Sequence, residues 1–171
     1  MSEMKKRNSA DAKLSWPWQA WDELMQNVRI AYEDLRNPRR AFALTAARQQ
    51  PYRDLIGALG AMASVTDDTD INCDVCFTYM LELDGLFFVR LSMVGPYVTF
   101  ARSHDERAVK FIHSHATCSS DFERDVLRLL MTRGFRVLSD VQLAAAIDLT
   151  FPGIEHAKVY NALFSPEEEW S

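Results

Sequence analysis

Several groups of side chains in this 171-residue sequence combine types and spacings that carry recognisable chemistry. One is metal-like: Cys73-x-x-Cys76, followed downstream by His113-x-His115-x-x-Cys118. Thiolates and imidazoles bind zinc when four of them converge on one point. The same residues offer a second chemistry, with Cys118 as a thiol nucleophile and His113 or His115 as its base. The carboxylates Asp67, Asp68, Asp70 and Asp74 suit a hard divalent cation or a basic protein partner.

Spacing argues against most of this chemistry. Cys73 and Cys76 fall in a segment of period 2, where an odd separation sends them to opposite faces. Cys118 has no local signature of a cysteine-enzyme family and reads as an inert thiol ahead of a helix cap. The aspartates lack the spaced ligands, central glycine and closing glutamate of an EF-hand loop, so a solvated loop or an electrostatic contact is expected. Arg36, Arg39, Arg40, Arg48 and Arg53 make one helical stretch basic, but only Arg40 and Arg48 share a face, and no aromatic residues interleave with them. No Gly-rich phosphate loop, Gly-x-Ser-x-Gly elbow or His-Glu-x-x-His pair is present. The expectation is a protein without metal or cofactor that is not an enzyme.

The elements that position these residues follow from periodicity. Trp18, Trp21, Met25, Val28, Tyr32 and Leu35 form one stripe of a helix over residues 17–35. Asn37-Pro38 predicts the start of a second helix, with Asn37 as its N-cap. Pro51 precedes a third that carries Leu55, Ile56 and Leu59. After the polar loop 67–70 the period becomes 2, with strands expected over 72–82, 86–93 and 97–102. A two-residue Asp84-Gly85 turn would put Arg90 on the same face as Phe77, Tyr79 and Leu81. A three-residue loop, with Gly85 left-handed as a bulge, pairs Glu82 with Leu86. That register gives one clean apolar face: Phe77, Tyr79, Leu81, Phe87, Val89, Leu91, Met93, Val98 and Phe100. A slip of one residue would exchange the faces, so the bulged loop is expected. Ser120 with Glu123 marks a helix that stops at Gly134, and Ser139 with Gln142 opens a small helix through Ile147. Short strands are expected at 135–138 and 157–164, with a turn at Pro152-Gly153. The fold class is α+β: N-terminal helices, a three-stranded antiparallel meander, then helix-strand-helix-strand in a single domain over 15–171 after a polar tail 1–14.

The second sheet face reads Cys76, Thr78, Met80, Glu82, Phe88, Arg90, Ser92, Tyr97 and Thr99. Met80, Phe88 and Tyr97 around Arg90 are the residue types that anchor interface cores. Either an N-terminal helix covers this face or it is open to a partner. The composition, 48% apolar and 25% charged, excludes a disordered, collagenous or coiled-coil chain. A net charge of −5 lowers the odds of nucleic-acid binding and favours a basic protein partner. Lys5, Lys6 and Arg7 are followed by no apolar stretch, so the tail is not read as a secretory signal, and no window is apolar enough to span a membrane. An odd cysteine count points to reduced thiols and a cytoplasmic home.

Two segments carry a family likeness. Phe88-Val89-Arg90-Leu91-Ser92-Met93-Val94-Gly95-Pro96-Tyr97 and Val159-Tyr160-Asn161-Ala162-Leu163-Phe164-Ser165 resemble small bacterial immunity proteins of contact-dependent and secreted-toxin systems. The resemblance covers the C-terminal half and has no diagnostic motif, so it transfers no functional residue. It implies a binder that occludes a partner toxin, possessing no chemistry of its own. The element order also resembles acidic secretion chaperones, from which the strand after Phe135 and the bulky N-terminal helices depart. The expected partner is a protein, such as a basic toxin domain, met through Asp67, Asp68, Asp70, Asp74, Met80, Phe88, Arg90 and Tyr97.

Overall fold

The computed structural model describes residues 12–105, 108–168 and 170, so most of the polar tail lies outside the described residues. Helix α1 spans Trp18–Tyr32 and buries Ala20, Leu24, Val28 and Tyr32, a strict i, i+4 line. Trp21, Met25 and Leu35 flank that line half-buried, as expected, but Trp18 is 74% exposed. Its place is taken by Trp16, which is buried, donates its indole N–H to the Gln142 carbonyl at 3.1 Å and packs edge-on against Tyr97. Helix α2 spans Ala41–Gln49 and begins later than Asn37-Pro38 suggests. The Asp34 carboxylate accepts from the amides of Arg36 and Asn37, and this turn uses up the segment before a helix can start. Helix α3, Arg53–Gly60, buries Leu55 and Leu59.

One sheet organises the rest. Strands β1 (Ser64–Asp67), β2 (Cys76–Glu82), β3 (Leu86–Ser92), β4 (Tyr97–Asp105) and β5 (Ala108–Phe111) run antiparallel in chain order. Strand β6 (Arg136–Val137) lies parallel to the first residues of β4, at Tyr97 and Val98, while β5 pairs with β4 from Ala101 on. Glu82 pairs with Leu86, the register that the alternation requires. The left-handed residue of that loop is Asp84 (φ 49°) rather than Gly85, which adopts φ 148°. An aspartate tolerates this region better than most side chains.

Helix α4 spans Asp121–Thr132, and its Ser120 cap accepts from the Glu123 amide at 3.2 Å. The Glu123 carboxylate accepts from the Ser119 amide and from Arg102 Nε at 2.6 Å, tying the helix start to β4. Helix α5 (Asp140–Leu143) carries the full Ser139/Gln142 capping box and stops short of Ile147. Pro152-Gly153 forms a turn closed by a bridge between Phe151 and Ile154. The segment expected as a last strand is helix α6, Val159–Leu163, all of it buried. Asn161 makes the difference: it accepts from the Lys158 amide at the helix start and donates to the Ser165 and Glu168 carbonyls beyond its end. The fold is α+β.

The sheet is covered on one face and on one end of the other. Phe77, Leu81, Val89, Leu91, Val98 and Phe100 pack against Leu55 and Leu59 of α3 and Val126 and Leu130 of α4. Cys76 and Tyr97, on the other face, join α1 and the C-terminal segment in a second core.

Candidate partner-binding site

The register arranges the second face in rows across the strands. Cys76, Ser92 and Tyr97 make one row, and Thr78, Arg90 and Thr99 the next. Thr66, Met80, Phe88, Ala101 and Phe111 make a third, and Ser64, Glu82, Leu86, Ser103 and Val109 the last. Burial falls along this series.

The first two rows are closed. Tyr97 is 2% exposed, wedged against Trp16, and its hydroxyl accepts from Asn27 Nδ2 at 3.0 Å. Tyr97 is therefore a core residue rather than a docking anchor, because α1 needs an apolar seat at the start of β4. Ser92 donates to the Leu163 carbonyl at 2.8 Å and the Val75 amide to that of Phe164 at 2.9 Å, fastening α6 to this end of the sheet. Arg90 is also withdrawn. Its Nη1 donates to the Tyr160 hydroxyl at 2.6 Å, and that hydroxyl in turn donates to Glu168. Burial works to lower the Arg90 pKa, but Tyr160, Cys76 and Asp74 outweigh it and raise it. Arg90 thus serves as an internal cation that pins the C-terminal segment, not as a free anchor.

The third and fourth rows stay open. Met80, Phe88, Leu86 and Phe111 are half-buried and Val109 is 49% exposed, forming an apolar strip at the far end of the sheet. Trp170 packs between Phe111 and Tyr160 and borders the strip. Among the described strand positions of these rows there is one carboxylate, Glu82, and no Lys or Arg. Leu86, Val109 and Phe111 were not among the expected site residues. Their signal was weak, since β5 is short and only the observed β4–β5 pairing places Val109 and Phe111 on this face.

The acidic loop leaves β1 at Asp67, opposite Tyr79, and runs past Thr78 toward the closed rows. Asp67, Asp68 and Asp70 are exposed. Asp67 and Asp70 accept from the amides of Thr69 and Asn72, each at 3.0 Å, which stiffens the loop. The Asn72 amide, with help from Cys73, also holds the Asp70 carboxyl below its ordinary pKa. Asp74 differs: it is half-buried, and burial pushes its pKa up despite contacts with Ser165 and Arg90. Asp74 belongs to the interior network, so the outward acidic group is Asp67, Asp68 and Asp70. Arg40, read from sequence as part of a solvated basic face, spans this loop. It donates to the Cys73 carbonyl at 3.1 Å and pairs with Glu167 at 3.0 Å.

The other constellations stay apart. Among the described residues no group of His, Cys, Asp and Glu could hold a metal ion. Cys76 is buried in the second core, with burial pushing its thiol up to about 12, while Cys73 sits in the acidic loop. Cys118 donates its thiol to the Ser114 carbonyl at 3.4 Å, and burial together with Glu123 raises its pKa. A nucleophilic thiol needs the opposite shift. No described helix is long and apolar enough to cross a membrane. Comparison of the chain with family models, with curated proteins and with solved structures finds no match.

Proposed function

We propose that this chain is a non-catalytic protein-binding module, and specifically an immunity protein that neutralises a bacterial toxin by occluding it. The observation that carries the reading is the open apolar strip around Met80 and Phe88, on a sheet whose edge strand β1 leads into the exposed Asp67, Asp68 and Asp70. Half-buried apolar side chains on a rigid sheet lose little entropy on docking, and the acidic loop adds a negative field that draws a basic partner to the molecule. A basic toxin domain is the matching occupant. The resemblance of residues 88–97 and 159–165 to immunity proteins supports the same assignment. Unpaired Cys73, Cys76 and Cys118 suit the cytoplasm, where thiols stay reduced and where such a protein would act.

The competing reading, an enzyme built on Cys118 with His113 or His115, has the raised thiol pKa and the Ser114 contact against it. Co-expression with the product of the adjacent toxin-like reading frame tests the proposal. Growth should be restored by the native chain and by Cys118→Ser, and not by a Met80→Asp/Phe88→Asp variant whose circular dichroism is unchanged. Neighbouring genes of purely metabolic type, or rescue by the double variant, would refute it.

A further inference from the structure

Strand β5 is the last in the sheet order, so its outer edge meets no other described strand. The ladder to β4 decides which of its residues face that edge. The Ile112 amide donates to the Phe100 carbonyl at 2.7 Å, and Lys110 pairs with Arg102 in the same register. Bonded residues alternate along an antiparallel pair. The N–H and C=O of Lys110 therefore point at β4, and those of Val109 and Phe111 point away from it. Among the described residues no hydrogen bond reaches these outward groups.

The same two residues turn their side chains onto the open strip, where Val109 is 49% exposed and Phe111 is half-buried. Backbone donors and acceptors and apolar side chains thus meet at one edge. Strand β1, at the other edge, is built differently. The Asp68 amide donates to the Thr78 carbonyl at 2.8 Å, so the outward groups of β1 belong to Val65 and Asp67. Val65 packs into the first core and Asp67 shares its face, so that edge does not continue the strip.

An unpaired row of backbone donors and acceptors is complemented by another extended chain. A second copy of this protein fits poorly. The register that bonds Val109 to Phe111 of the copy sets two Lys110 ammoniums directly opposite each other, and like charges so placed destabilise a strand pair. Lys110 is exposed and is the one charge in Ala108–Phe111, so a carboxylate opposite it would attract instead. We propose that a β-strand of the partner protein adds antiparallel to β5, bonded to the backbone of Val109 and Phe111, with apolar side chains beside theirs and a carboxylate opposite Lys110. This edge deepens the protein-binding reading above, on which it rests, by adding a backbone contact to the apolar one. The carboxylate is a single local group and leaves the partner basic as a whole.

The test uses the native chain, labelled with ¹⁵N, and the peptide acetyl-Thr-Val-Glu-Val-Thr-amide, whose valines fall beside Val109 and Phe111 and whose glutamate falls opposite Lys110. The peptide should slow solvent exchange of the Val109 and Phe111 amides saturably and leave that of Lys110, already bonded to β4, unchanged. A peptide with lysine in place of the glutamate should bind about threefold more weakly, the worth of a surface ion pair. Lys110→Glu should invert this preference, a sign that damage to the fold cannot produce. Val109→Pro deletes an outward N–H and no bond of the ladder, and should weaken the peptide about tenfold. The toxin encoded beside the chain should protect the same two amides in its complex. Absence of saturable protection there, an unchanged preference in Lys110→Glu, or a dimer of the native chain that protects these amides without peptide would overturn the proposal. A toxin complex weakened by Met80→Asp/Phe88→Asp in which both amides still exchange freely would overturn it and leave the proposed function standing. A toxin that does not bind the native chain would overturn both.

Discussion

Replacing Glu123 by alanine removes the joint between α4 and β4. The Glu123 side chain is 2% exposed and that of Arg102 is 21% exposed. One carboxylate satisfies Arg102 Nε at 2.6 Å and the Ser119 amide, so alanine leaves a cation and a backbone donor without it. Removing one member of a fully buried pair costs ~3–5 kcal/mol. Arg102 is partly open, keeps the Ser119 hydroxyl at 3.0 Å, and can turn its fork to water. The lower end of that range applies, ~3 kcal/mol at pH 7. With a denaturant slope of ~2 kcal/mol/M, the urea midpoint should fall by ~1.5 M, read by tryptophan fluorescence. The pH dependence has a definite sign. Burial pushes the Glu123 carboxyl up, but the hydrogen bond from Arg102 and the Ser119 amide hold it below its ordinary value. The unfolded group titrates near about 4.3. The stabilisation is therefore complete above that pH and is lost as pH falls through the depressed folded value. The gap between native and Glu123→Ala proteins should narrow in acid. A gap under ~0.5 kcal/mol at neutral pH, the ordinary range for a surface substitution, would refute the reasoning. So would a gap that stays constant with pH.

Ser92→Ala should cost ~1–3 kcal/mol, because its hydroxyl serves the Leu163 carbonyl and the Val94 amide in a fully buried place. An unchanged thermal midpoint would show that α6 is held some other way. Gly95→Ala should cost ~1–3 kcal/mol in urea melts, since a Cβ 2.8 Å from the Tyr97 ring forces that buried side chain to move. Cys76 should resist a disulfide reagent in the native protein at pH 8 and react once urea unfolds it, as its thiol is buried and its pKa is pushed up to about 12. Rapid labelling of native Cys76, located by peptide mapping, would contradict the placement of the second core.

The parts of the fold legible in the sequence are those where a local pattern has one solution. Strands β2, β3 and β4 alternate, and only the Glu82–Leu86 register collects their apolar residues on one face. Edge strands lack this signal. Ser64–Asp67 and Ala108–Phe111 each meet one neighbouring strand and keep mostly exposed side chains, so nothing in their composition demands a strand. Helix α6 misleads for the opposite reason: Val159, Tyr160 and Leu163 are strand-like or apolar, and a five-residue helix buried all round shows no period. For the candidate site, the composition of the second face was readable, but its exposure was not. Arg90 is closed off by Tyr160, 70 residues away, and Tyr97 by Trp16 and Asn27. Such contacts depend on where the chain ends pack, which no window around Arg90 or Tyr97 contains.

Calorimetric titration of the chain with the toxin encoded beside it, the partner that the proposed function assigns, comparing native protein with Met80→Ser/Phe88→Ser, tests the proposed docking strip most directly. Truncating central anchors of an interface costs ~2 kcal/mol or more, about 30-fold in Kd. The expected result is one-to-one binding by the native chain and a loss of at least that size in the double variant. Equal affinities for the two proteins would place the toxin on another surface.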